Sequence, residues 1–310
     1  MAADMSYRQA AYHPPRDFIR VRDFLAATIH RLGTLFTWDI SRWNYARHFV
    51  VPYRGGFGGI GAWEDRIGIW ETEDGTIAGV VNGEIPGPGL AFLQLDPRHE
   101  AILDEMISHA EERFVVDRQG RPQVRIAVHD PFHDLFGGRL AARGYTPVLN
   151  EPDWMSERPI RGVKVVELPP GFSLRSMADD DDVEARRKVL GLAFGHADPA
   201  EWVTAETYRE LQHAPDYRKD LDLYAVAPDG AFAACCIAWH DPVNRVGTFE
   251  PVGTHPAFRR MGLGRAVIAA GINRLEALGA TKAWVGSGQA FYGAIGFAKK
   301  YKEITWIKQL

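Results

Sequence analysis

At 310 residues the chain exceeds most single small domains, and two domains of about 150 residues are expected. Hydrophobic residues at 46% and charged residues at 25% give a globular composition, and a net charge of −4 argues against a nucleic-acid binder that works through bulk electrostatics, though not against a local basic pocket. No basic-then-apolar leader opens the chain, no apolar run approaches the ~18 residues of a membrane span, and Cys235 and Cys236 are neighbours without zinc spacing. No membrane association and a reducing, cytoplasmic compartment are therefore expected.

Residues 6–10 read as a short strand. Pro14-Pro15 opens a helical pattern carried by Phe18, Val21, Phe24, Leu25 and Ile29, and Ser41 is placed to cap a second helix through Val50. Residues 54–61 contain a literal G-x-G-x-x-G, but no good strand precedes it and Ala62-Trp63-Glu64-Asp65 opens no convincing helix. The run therefore reads as a glycine-rich loop rather than a dinucleotide site. Strands over 67–71 and 76–85 flank Asp74-Gly75 as a hairpin, and a strand over 90–95 stops at Asp96-Pro97. A helix over 100–114 buries Ile102, Leu103, Met106 and Ile107; a strand over 124–128, a helix over 131–143 and strands near Val148 and over 154–159 follow. His129-x-x-x-His133 has Pro131 between its histidines and no further ligand cluster, so it reads as a helix start, and no metal is expected.

Pro159, Pro169, Pro170 and Gly171 mark a boundary, giving domains over 1–160 and 161–310. The element order then repeats. A strand over 172–176 precedes an acidic run at 179–182, which suits the dipole at the head of a helix through Phe194. A helix over 200–212 and a hairpin of strands 223–227 and 231–239 follow. The stretch 248–278 then runs as a strand, a break at Pro256, the loop Arg259-Arg260-Met261-Gly262-Leu263-Gly264, and a helix whose Val267, Ile268, Ile272, Leu275 and Leu278 form one apolar stripe ended by Gly279. Glycines that let backbone N–H groups approach an anion, a helix N-terminus aimed at it, and Arg259, Arg260 and Arg265 together have the physics of a pyrophosphate site. A strand over 282–285, a helix over 288–295 and a strand over 302–307 complete the chain, so both halves read β-α-α-β-β-β-α-β-α-β.

Arg259-x-x-Gly262-x-Gly264 resembles the acyl-CoA-binding motif of the GNAT family of N-acetyltransferases, and Tyr292-x-x-x-Gly296-Phe297 is similar to that family's Y-x-x-x-G-F signature. Two signatures in the right order are more specific than either alone, and the resemblance extends over 172–310. It implies an α+β fold of two tandem GNAT-like domains, each a twisted, mostly antiparallel sheet flanked by helices, with acetyl-CoA or another acyl-CoA as co-substrate. It also implies that the backbone of Val252, Gly253 and Thr254 holds the pantetheine arm and polarises the acyl carbonyl. Arg259, Arg260, Met261, Gly262, Leu263, Gly264 and Arg265 would surround the pyrophosphate, and Tyr292 would be the general acid. The family commonly carries an asparagine ahead of the tyrosine helix; this chain lacks it, and Ser287 or Gln289 is the available substitute. The first half departs further. Arg98-His99-Glu100 follows Leu95-Asp96-Pro97 directly, and Leu140-x-x-x-Gly144-Tyr145 stands where the second half has its tyrosine signature. A leucine donates no proton and a loop without glycines cannot wrap a pyrophosphate, so this copy reads as degenerate.

An alkylamine with a pKa of about 10 is mostly protonated at pH 7, and the mismatch costs about 4 kcal/mol, so a base is useful. Glu250, two residues before Val252 on the same strand, is the best-placed carboxylate, with His240, Asp241 and Glu201 as rivals. The leaving thiolate resembles a thiol of pKa about 8.5, to which a tyrosine of about 10 can deliver a proton. The expected function is an acetyl-CoA-dependent N-acetyltransferase that moves an acyl group to a primary amine, small molecule or peptide, by direct attack in a ternary complex. The alternative is a non-catalytic, acyl-CoA-responsive binding or regulatory module. Trp38, Trp43, Tyr45 and Tyr53, with the glycine-rich loop as a lid, are expected to shape the acceptor cleft or the domain interface, the alternative being that the first domain only stabilises its partner. Nothing in the sequence specifies the oligomeric state.

Overall fold

The computed structural model describes residues 6–35, 38–55, 58–84, 89–161, 163–164 and 166–310. Its strands are β1 Tyr7–Ala11, β2 Gly68–Thr72, β3 Ile77–Gly83, β4 Leu90–Leu95, β5 Val116–Asp117, β6 Pro122–His129 and β7 Thr146–Pro159, then β8 Ser173–Ser176, β9 Asp222–Val226, β10 Phe232–Asp241, β11 Val246–Thr254, β12 Lys282–Val285 and β13 Ala298–Gln309. The helices are α1 Arg16–Leu32, α2 Ile40–Tyr45, α3 Val51–Arg54, α4 Ile60–Glu64, α5 Leu103–Arg113, α6 His133–Ala142, α7 Val183–Ala193, α8 Ala205–Gln212, α9 Leu263–Ala277 and α10 Ala290–Ala294. The result is a mixed α+β fold in which helices flank mostly antiparallel strands. It divides into two compact units, Met1–Trp154 with Tyr301–Leu310, and Met155–Lys300.

In the first unit β1, β2, β3 and β4 form an antiparallel meander, β4 runs parallel to β6, and the end of β13 pairs antiparallel with β6 from Glu303↔His129 to Gln309↔Gln123. Successive β4 residues alternate between two cores. Ala91, Leu93 and Leu95 join Met106, Ile107 and Ala110 of α5, whereas Leu90 and Phe92 join Phe18, Val21 and Leu25 of α1. A period of two on a sheet covered on both faces explains why this strand reads as an apolar run broken only by Gln94.

Three expectations change here. The cap of α2 is Asp39 rather than Ser41: its carboxylate accepts from the Arg42 N–H at 2.9 Å, and the Ser41 hydroxyl donates to it at 2.6 Å. The glycine-rich stretch is followed by a helix, α4, because Trp63 is fully buried and donates Nε1–H to the Gly83 carbonyl at 2.6 Å. A tertiary anchor thus overrides weak local propensity; Gly56 and Phe57, the middle of the expected lid, lie outside the described residues. Trp38, Trp43 and Tyr45 are buried, and the Trp43 ring lies 5.4 Å from that of Phe18 and 5.5 Å from that of Trp63, so its faces are spent on the unit's own core. His129 sits 3.6 Å from the Glu303 carboxylate, and among the described residues no three His, Cys, Asp or Glu side chains gather as a metal site.

The second unit repeats the succession. β8, β9, β10 and β11 form the meander, β11 runs parallel to β12, and Ser156–Pro159 of β7 pairs antiparallel with β12. The stripe of α9 (Val267, Ile268, Ile272, Leu275) packs with Leu223, Cys236 and Phe249. Helices α7 and α8 are tied to β9 by a buried network. Arg186 and Asp222 have side chains 0% exposed, with Arg186 Nε donating to Asp222 Oδ1 at 2.8 Å. The hydroxyls of Tyr208 and Tyr217 both donate to Asp222 Oδ2. Burying these charges is costly, and the pairing offsets part of that cost, since the Arg186 terminal nitrogens are buried without a hydrogen-bond partner. Among the described residues no helix is long and apolar enough to cross a membrane.

Candidate active site

The site begins where β11 leaves its neighbour. β12 pairs with β11 only over Val246–Thr248, and the register with β10 shifts between Cys236 and Ala238, opposite Glu250-Pro251. Proline has no N–H to give a ladder. The edge of β11 through Val252–Thr254 is left facing a cleft with backbone groups that need partners. At the strand end His255 Nδ1 accepts from the Ala257 N–H at 3.1 Å and turns the chain over Pro256–Phe258. Gly262 then adopts φ 82° and caps α9. The first internal bond of that helix is Ala266 N–H to the Gly262 carbonyl at 3.0 Å, so the N–H groups of Leu263, Gly264 and Arg265 precede the ladder and suit an anion.

Close approach fixes two further glycines. A Cβ on Gly264 would lie 3.0 Å from Thr254 Oγ1 and 3.4 Å from the Phe291 ring, and one on Gly253 would lie 2.6 Å from the Ala193 Cβ. These surfaces enclose a cavity of about 780 Å³. Of the residues expected from sequence, Val252, Gly253, Thr254, Arg259, Arg260, Gly262, Leu263, Gly264, Arg265 and Tyr292 line it, whereas Glu250, Met261 and Ser287 do not. Met261 is exposed at the loop tip, and Ser287 Oγ accepts from the N–H of Gln289, which does line the cavity. The Arg259 guanidinium donates to the carbonyls of Thr254 at 3.3 Å and Ala193 at 3.0 Å, which locks the loop to the end of α7. Sequence reasoning missed Phe194, Gly195 and Phe291 as lining. Phe194 and Gly195 carried only a helix-end signal, although Phe194 is 57% exposed, unusual for a phenylalanine.

Tyr292 is 9% exposed, packed edge-on against Phe291 at 5.0 Å and Phe297 at 6.0 Å. Burial, followed by the charges of Cys236 and Glu250, pushes its pKa up to about 12, so it holds its proton throughout the neutral range. Glu250 is half-buried, and its carbonyl accepts from Trp239 Nε1 at 2.8 Å. Its rivals are otherwise engaged. Asp241 accepts from the N–H groups of Val243 at 2.9 Å and Asn244 at 3.0 Å as a turn residue, and Glu201 stands 3.4 Å from His196. His240 lies outside the cavity lining and is held towards neutrality by burial.

The first unit has a counterpart to the Glu250 position. Its parallel pairing ends at Phe92↔Ala127, as that of the second ends at Thr248↔Trp284. Two residues on from Phe92, Gln94 therefore stands where Glu250 stands. Gln94 is 1% exposed, donates to Asn82 Oδ1 at 3.1 Å and accepts from the Trp38 N–H at 3.1 Å. An amide so placed takes up no proton.

A sequence profile described as the Acetyltransferase (GNAT) family matches residues 189–301. A mycothiol acetyltransferase of Actinosynnema mirum is 30% identical over 217 residues, covering 66% of this chain and 69% of that protein. The chain belongs to the GNAT acetyltransferase family. A mycothiol acetyltransferase of Kytococcus sedentarius is 29% identical over 208 residues, covering 60% of this chain and 69% of the relative. Among solved structures, the tandem GNAT protein of the clavulanic acid biosynthesis pathway superposes with a TM-score of 0.64 at 15% identity, over 99% of this chain and 98% of that one. The GCN5-related N-acetyltransferase from Sphaerobacter thermophilus does so with a TM-score of 0.61 at 16% identity, over 98% and 95%. At these identities the two structures speak to the fold alone. The profile begins within α7 and so takes in every GNAT element that lines the cavity.

Proposed function

We propose that the chain is an acetyl-CoA-dependent N-acetyltransferase whose chemistry resides in the second unit, acting on a primary amine by direct attack in a ternary complex. The observation that carries this is the convergence on one cavity of the open edge of β11, the left-handed Gly262 turn into α9, and Tyr292. The thioester supplies the activated acyl group. The N–H groups of β11 polarise its carbonyl, and those at the start of α9 take the pyrophosphate. Glu250 removes the ammonium proton, directly or through water.

Tyr292 faces the departing sulfur. Full transfer from a tyrosine at about 12 to a thiolate of about 8.5 is uphill by about 5 kcal/mol. Tyr292 therefore acts by donating a hydrogen bond. Residues 1–160 fit a degenerate copy without an acyl-CoA loop, a reading that Gln94 and Leu140 support. The names of the relatives make a small-molecule amine, starting with the acceptor of mycothiol acetyltransferases, the first class to test.

Calorimetry with acetyl-CoA, followed by thiol release over a panel of amines, tests the reading. Affinity unchanged by Gly262→Trp with Gly264→Trp would remove the cofactor loop. Normal binding with no turnover on any amine would leave a binding module instead.

A further inference from the structure

A second concavity of about 300 Å³ adjoins the first, with Arg265 lining both. Its floor is apolar, formed by Ile268, Ala269 and Ile272 of α9 with Ala294 at the end of α10 and Ile295 after it. Its rim is cationic: Arg158, Arg161, Lys164 and Arg265, with no carboxylate in the lining. The residues that follow β7 are arranged to produce this rim. Ile160 is buried, with its N–H on the Thr281 carbonyl at 2.9 Å, and Val163 packs on the same core, so Arg161 and Lys164 are left exposed between these anchors. Arg158 is already spent: it donates to the Ile295 carbonyl at 2.5 Å and lies over the Phe297 ring at 5.8 Å. Arg161, Lys164 and Arg265 make no ion pair among the described residues, although carboxylates elsewhere on the chain are widely paired. Three uncommitted cations over an apolar floor suit a phosphate monoester carried on a planar, apolar body.

We propose that this concavity is a phosphomonoester subsite that takes the 3′-phosphate of the acyl-CoA held in the neighbouring cavity, and that Arg161 and Lys164, from the segment ahead of the family-matched region, select CoA over its 3′-dephospho form. The assignment rests on the acyl-CoA reading. Arg265, which belongs to both cavities, joins the pyrophosphate site to this one. Arg161 and Lys164 are exposed, so their removal leaves the core intact.

The test is calorimetry with acetyl-CoA and acetyl-3′-dephospho-CoA on the full chain, for wild type and Arg161→Ala/Lys164→Ala. The subsite predicts that wild type prefers acetyl-CoA by about tenfold, the scale of two charge-assisted contacts on a partly exposed phosphate. In the double variant the preference disappears through loss of acetyl-CoA affinity, with the dephospho form unchanged. Inorganic phosphate should weaken acetyl-CoA binding and leave the dephospho form unaffected. Equal wild-type affinity for the two forms, or a preference that survives in the double variant, overturns the subsite while leaving the acyl-CoA reading standing. Inorganic phosphate that binds through Arg161 and Lys164 without competing with acetyl-CoA would assign the cavity to free phosphate and overturn the link. No binding of either form would remove both readings.

Discussion

Gly262→Ala isolates the backbone contribution of the cofactor loop. Gly262 has φ 82°, and a Cβ there would meet nothing within 4 Å, so the substitution introduces no clash. What it costs is the left-handed conformation, about 1–2 kcal/mol for an L-residue. Gly279, just past the other end of α9, has φ 88° and equally open surroundings. The two substitutions carry the same intrinsic penalty at opposite ends of one helix, and only Gly262 lines the cavity. If acetyl-CoA binding needs the left-handed turn, the penalty at Gly262 appears in affinity. At 1.4 kcal/mol per factor of ten, the expected loss is about 5- to 30-fold. Gly279→Ala should instead lower unfolding free energy by about 1–2 kcal/mol and leave affinity alone. Calorimetry and urea unfolding on both variants read the two quantities. Wild-type affinity in Gly262→Ala, or an equal affinity loss in Gly279→Ala, would refute the assignment of the turn to the ligand.

Tyr292→Phe removes a proton donor and little volume, so kcat should fall about 100-fold while the KM for acetyl-CoA stays within about twofold; an unchanged kcat would leave Tyr292 as a core aromatic only. Arg186→Met leaves Asp222 buried without its cation and should destabilise by about 3–5 kcal/mol in urea, much of which Arg186→Met/Asp222→Leu recovers. No recovery in the double variant would show that the tyrosine hydroxyls, not the ion pair, set the requirement. Burial raises the pKa values of Tyr12, Tyr145, Tyr208, Tyr217 and Tyr292. A raised folded pKa contributes stability that is complete below the unfolded value of about 10 and is lost as pH rises through the folded one. Urea midpoints should therefore fall steeply above pH 10, and for Tyr292 the affected window runs from 10 to about 12. Tyr292→Phe should flatten part of that fall.

The loop and helix from Pro256 to Gly279 were legible because their determinants are local: a proline break, glycines at a turn and an apolar stripe lie within consecutive residues. Most strands were legible for the same reason, down to the bounds of β4 and β12, although the two-residue β5 was not foreseen. Features set by distant partners were not. Residues near Val148 and over 154–159 looked like separate strands, yet β7 is continuous, because its pairing is supplied by residues more than a hundred positions away. Nothing local marks Arg186 and Asp222 as partners, since only the fold brings them together in the core. The helix at Ile60–Glu64 depends on Trp63 reaching Gly83, which local propensity does not register. At the cavity, glycines and arginines announced themselves by spacing; Phe194, Gly195 and Phe291 had no spacing to announce.

The same distinction accounts for how one frame can hold two different chemistries. Both units place a strand, a short 3₁₀ turn and a helix in succession beyond the end of the parallel pairing. In the second unit the turn passes through left-handed Gly262 and leaves the first N–H groups of α9 to an external anion. In the first, Asp96 caps the 3₁₀ turn over Pro97–Ile102, where the second unit has His255, and that turn runs on into α5 without a glycine. Asp96 is 3% exposed, accepts from the Arg98 N–H at 3.0 Å, and pairs with the guanidinium groups of Arg31 at 2.5 Å and Arg98 at 2.7 Å. The first unit thus carries at its turn a carboxylate that brings its own cations, so a ligand phosphate arriving there would face a like charge already neutralised. Gln94 is closed in the same way, with both ends of its amide spent on Asn82 and Trp38. In the proposed degenerate copy, residues that would have met a ligand are satisfied by the protein itself. Removing the glycines alone would weaken a site. Satisfying its turn and its strand amide from within leaves those groups without demand for a ligand.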